Sequence, residues 1–84
     1  MKQYVINCIQ NISDDLHINI SEFYDMINDK YMSEYGINFK MEAENQGLDM
    51  IEYAEFKDEI DYSFLFRLLS MANKINNKLI KGDK

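Results

Sequence analysis

The stretch YAEFKDEIDYSFLFRLLSMANKINNKL, residues 53 to 79, decides the fold. Within it Tyr53, Phe56, Ile60, Phe64, Leu68, Met71, Ile75 and Leu79 follow one another at steps of three or four, the spacing that aligns side chains on one face of an α-helix. Upstream, Asp49 and Glu52 stand at the separation of a capping box, in which each residue's side chain engages the other's backbone amide. Asp61 and Ser63 are candidate caps inside the stretch. The pattern therefore predicts a break near residues 58 to 62 and a terminal helix from 62 to 80. Leu65, Phe66, Leu69 and Ile80 fall outside the main stripe. So wide an apolar face calls for deep burial or for a homodimer contact through the C-terminal helix.

Toward the N-terminus the same spacing recurs. Val5, Cys8, Ile9, Ile12 and Leu16 share a helical face and predict a helix over residues 3 to 15. Ser21 precedes Glu22 and Asp25, a hydroxyl cap followed by acids at the positive end of the helix dipole. Gly36 stops this second helix, since glycine enters the left-handed region at little cost. Residues 37 to 44 read differently. Ile37, Phe39, Met41 and Ala43 alternate with polar residues at a period of two, as in a strand, and Leu16, Ile18 and Ile20 are the other short alternation. The expected fold is mainly α: a compact bundle of three to four helices with a short extended segment at 37 to 44. An α+β fold with a small two-stranded sheet is the alternative.

Eighty-four residues make one domain with one core, and a hydrophobic fraction of 46% argues for a folded chain. No run approaches the roughly 20 apolar residues of a spanning helix. The start of the chain, Met1 to Cys8, lacks the unbroken apolar run and cleavage site of a signal peptide. A lone cysteine, Cys8, forms no internal disulfide, which fits a reducing compartment. A cytoplasmic protein is expected. Ile (11), Asn (9), Lys (8) and Tyr (6) fill 34 of 84 positions, and this usage of AT-rich codons points to an AT-rich bacterium or its phage.

Chemistry-bearing constellations are sparse. His17 is the single histidine, and with Cys8 it falls short of the three or four ligands of a zinc site. His17 reads as a surface residue between two helices, and Cys8 as a small buried hydrophobe. Gly36, Gly47 and Gly82 are isolated and form no phosphate-cradling loop; no Asp-x-Asp-x-Asp-Gly calcium loop occurs. No catalytic residue, metal or cofactor is expected, and the chain reads as a binding protein and not an enzyme.

Charge is the informative feature. Between residues 14 and 61 there are fourteen acids against Lys30, Lys40 and Lys57, a balance of −11, while residues 67 to 84 carry five bases against Asp83, or +4. The net charge of −6 disfavours direct contact with DNA or RNA, whose phosphates attract lysine and arginine. It suits a basic protein partner. Glu42, Glu44, Asp49, Glu52, Tyr53, Glu55, Asp58, Glu59 and Asp61 form the candidate partner-binding set, with Phe56 and Tyr62 as further aromatics that would supply hot spots.

In size, acidity and AT-rich composition the chain resembles the small phage-encoded inhibitors of bacterial defence, the anti-CRISPR and anti-restriction proteins, many of which are similar to DNA in surface charge. The resemblance implies an inhibitor that presents an acidic face to the basic groove of a nucleic-acid-processing protein. The basic C-terminal helix departs from an acidic-all-over mimic and leaves room for inhibition at a distance. A helical immunity protein or antitoxin, or a small regulatory dimer, are the alternative readings.

Overall fold

Short polar side chains start three of the helices. Asn19 Oδ1 accepts the Ser21 amide at 2.9 Å, Asn38 Oδ1 accepts that of Met41 at 3.1 Å, and the Asp49 carboxylate accepts that of Glu52 at 2.8 Å. Each engages an amide that a first helical turn leaves without a partner. The computed structural model describes residues 2 to 61 and 63 to 82. Their order is α1 (Lys2–Leu16), α2 (Ile20–Tyr35), α3 (Phe39–Asn45), α4 (Met50–Asp58) and α5 (Phe64–Gly82). The fold is mainly α, as expected, with five helices instead of three or four.

The stops are as specific as the starts. Gly36, at φ 70°, turns its amide back to the Met32 carbonyl at 2.8 Å and ends α2 where the sequence places the end. At the end of α1 the amides of His17 and Ile18 return to the carbonyls of Asp14 and Ser13 at 3.1 and 3.0 Å, a Schellman closure with His17 at φ 57° in place of the usual glycine. Gly47 and Leu48 close α3 in the same way onto Glu44 and Ala43.

Residues 37 to 44 are not extended. Asn38 caps a helix that begins at Phe39, no strand occurs among the described residues, and Leu16, Ile18 and Ile20 belong to α1, the α1–α2 turn and the start of α2. The physical reason is a staple to α2. The buried Asn28 donates from Nδ2 to Asn38 Oδ1 at 3.0 Å and accepts the Lys40 amide on its own Oδ1 at 2.9 Å. Two further assignments shift. Asn19, not Ser21, caps α2. At α5 the amides of Phe64 and Leu65 go to the two carboxylate oxygens of Asp58, at 2.7 and 3.2 Å, in place of Asp61 or Ser63.

The core gathers Val5 and Ile9 from α1, Phe23, Ile27 and Tyr31 from α2, Phe39 and Ala43 from α3, Met50, Ile51, Tyr53 and Ala54 from α4, and a face of α5. That face holds Leu68, Met71 and Ile75 as the stripe predicts, together with Leu65 and Ala72, which the stripe omits. Phe56 and Ile60 lie on the stripe and are exposed. Cys8 is half-buried, and His17 is exposed between α1 and α2. No described helix is long and apolar enough to cross a membrane.

Candidate partner interface

The candidate surface is built on α4. Asp49 accepts the Glu52 amide and the Glu52 carboxylate accepts that of Asp49 at 3.0 Å, so the capping box legible in the sequence is present on both sides. It fixes the rotation of a short helix. Met50, Ile51, Tyr53 and Ala54 turn inward, and at 100° per residue Glu52, Glu55, Phe56 and Glu59 form the outward ridge, all exposed. Lys57, the one base of this segment, leaves the ridge. Its Nζ lies 5.8 Å from the Tyr53 ring centroid and 5.4 Å from that of Phe64, a cation–π position.

The nine candidate residues divide by surroundings. Glu52, Glu55 and Glu59 share the ridge, and of these Glu55 is paired with Lys2 at 3.3 Å. Glu44, Asp49 and Glu52 stand on the rim of a groove of about 650 Å³ where α1, α2, α3 and α4 meet. Glu42 is exposed on α3 and accepts the Tyr53 hydroxyl at 3.3 Å. Asp58 is turned to the start of α5, and Asp61 is exposed in the turn between α4 and α5. Tyr53 is buried, its ring 5.1 Å from that of Phe39, so only its hydroxyl reaches toward the acidic surface. The aromatic that the ridge presents is Phe56, 47% exposed. Tyr62 lies outside the described residues.

Other side chains at this groove are brought together by packing alone. Asp25 of α2 and Lys40 of α3 form an ion pair across the groove mouth, and Tyr24 lines its wall. Asp25 raises the Lys40 ammonium above its ordinary value by hydrogen bonding to it. Burial, aided by Asp49, raises the Tyr24 phenol, which stays a protonated donor. No spacing rule links residues 24, 25 and 40, because tertiary packing alone brings them together. The same holds for Arg67. Its guanidinium stacks 5.0 Å from the Tyr35 centroid and 4.6 Å from that of Phe64, and donates to the Tyr31 hydroxyl at 3.4 Å.

Positive charge on α5 is therefore partly engaged at home. Arg67 lies on aromatic rings, and Lys74 pairs with Glu34 of α2 at 2.7 Å. That hydrogen bond, the largest influence on the group, holds the Glu34 carboxyl below its ordinary value. Among the described residues no three histidine, cysteine or carboxylate side chains gather as metal ligands. No protein-family model, curated protein or solved structure matches the chain.

Proposed function

We propose that the protein is a protein-binding inhibitor of a nucleic-acid-processing protein, of the phage anti-CRISPR or anti-restriction type, working in a bacterial cytoplasm by occlusion and not by catalysis. Its acidic surface, from Glu42 and Glu44 on α3 through the α4 ridge to Asp61, occupies a basic groove built for phosphates. The observation that carries this reading is the ridge itself. Glu52, Glu55 and Glu59 project together while Lys57 folds onto aromatic rings, so like charges stand at helical neighbour positions with one counter-charge, Lys2. Such an arrangement repels itself by a few tenths of a kcal/mol per pair and is relieved when a cationic surface docks. Phe56, exposed among these carboxylates, supplies the apolar anchor that charge alone lacks.

The reading is tested by competition. A host nuclease or effector that binds the protein should release its nucleic acid as the protein is added, in a fluorescence-anisotropy titration at low salt. Simultaneous binding of both at full affinity would refute occlusion.

A further inference from the structure

The groove of about 650 Å³, where the starts of α1 and α2 meet α3 and α4, is filled by no described residue. Its size lies within the roughly 300 to 1,000 Å³ of ligand-binding clefts. The floor is apolar, with Ile6 and Leu48 half-buried and Met50 and Ile51 buried. Around the rim four carboxylates, Asp25, Glu44, Asp49 and Glu52, stand against two ammonium groups, Lys2 and Lys40, a balance of −2. Both ammonium groups are engaged, Lys2 by Glu55 at 3.3 Å and Lys40 by Asp25. Glu44, Asp49 and Glu52 have no ion-pair partner among the described residues.

We infer that this groove receives an arginine side chain of the basic partner, its methylenes on the apolar floor and its guanidinium on the Asp49 and Glu52 carboxylates beside the Tyr24 ring. The inference rests on the inhibitor reading and names the group that the partner inserts. Charge selects the occupant. An anion is repelled by the rim, and an apolar side chain would strip water from carboxylates that gain no counter-charge in return. The capping box prepares the receiving groups. Asp49 gives one carboxylate oxygen to the Glu52 amide at 2.8 Å and Glu52 gives one to the Asp49 amide at 3.0 Å, while the second oxygen of each is without a hydrogen bond among the described residues. Backbone contacts already hold both side chains, so little ordering is left to occur when a ligand arrives. Arginine fits this pair better than lysine, because its planar fork reaches two carboxylates at once, stacks on a ring and is more weakly hydrated than an ammonium. Burial, then Asp49, keeps the Tyr24 phenol protonated, so the wall offers an uncharged ring and a hydroxyl. Glu52 belongs to both the groove rim and the α4 ridge, so the inserted arginine and the ridge contacts form one continuous interface.

The test is a heteronuclear NMR titration of the isotope-labelled full chain, at about 50 mM salt, with the peptide acetyl-Gly-Arg-Gly-amide and its citrulline and lysine counterparts up to about 10 mM. The arginine peptide should saturate and move the amides of Tyr24, Glu44, Leu48 and Ile51. It should bind at least about tenfold tighter than the citrulline peptide, which keeps the shape without the charge, and at least about threefold tighter than the lysine peptide. Glu44→Gln with Asp49→Asn should weaken it by at least about tenfold while circular dichroism stays helical, since asparagine still caps α4. Asp14→Asn with Asp15→Asn, which removes the same charge at the far end of α1, should leave it unchanged. Failure to saturate would overturn the inference, as would lysine or citrulline binding as tightly, shifts centred on Glu55, Phe56 and Glu59, or a groove variant that binds like wild type. The titration needs no partner protein, whereas the inhibitor reading stands or falls on displacement of nucleic acid, so the two fail by different measurements.

Discussion

Asp58 illustrates how a residue read as surface charge serves the fold. Its carboxylate accepts two α5 amides, which would otherwise be unpartnered donors at a part-buried helix start. Asp58→Ala should lower stability by about 1 to 2 kcal/mol in urea unfolding, with Asp58→Asn intermediate; unchanged melts for both would show that the cap carries no weight. Tyr53 makes a parallel case in alkali. Burial foremost, then the neighbouring Glu42, raises its phenol above the ordinary 10.0. A group whose pKa is raised on folding contributes stability in full below its unfolded value and loses it as pH climbs through the folded value. The folded state should weaken above about pH 10, and Tyr53→Phe should flatten that limb in a melting series against pH. A limb of equal steepness in the variant would place the alkaline titration elsewhere.

Among the elements, α5 and α4 show what an apolar stripe decides and what it leaves open. Leu68 is fully buried and Phe56 is 47% exposed, although both lie on the stripe from Tyr53 to Leu79. Leu68→Ala should cost about 2 to 5 kcal/mol and Phe56→Ala within about 0.5 kcal/mol, measured by urea unfolding. Equal losses would mean the stripe is a single continuous face. It is not, because the chain turns between Asp58 and Phe64 and the helical phase of α4 is not carried into α5. Existence of both helices, the break and the capping box were legible; the inward direction was not. In α3 the ambiguity lies in the period. Phe39 and Ala43, the pair it buries, are four apart, a spacing shared by a strand face and a helix face. Seven residues complete too few turns to separate the two, and the deciding contact, Asn28 on Asn38, spans two elements.

For the whole molecule, charge is sorted by helix. α1 and the outer side of α5 are neutral over most of their length, α2, α3 and α4 are acidic, and Arg67 and Lys74 of α5 lie against α2, where Glu34 holds Lys74. The charge imbalance of the candidate surface was plain from composition. Which carboxylates remain available was not, because Glu55 meets Lys2 from the far end of the chain and Lys57 leaves the ridge for two aromatic rings. The central claim is that the α4 ridge holds a basic partner, and the most direct measurement is the affinity for that partner against salt for wild type and for Glu52→Lys, Glu55→Lys and Glu59→Lys combined. Wild-type binding should weaken steeply as salt rises, and the triple variant should lose binding while remaining helical by circular dichroism, with a melting temperature lowered only modestly by loss of the Glu52 half of the capping box and of the Glu55–Lys2 pair. A triple variant that binds and inhibits with wild-type affinity and salt slope would contradict the account.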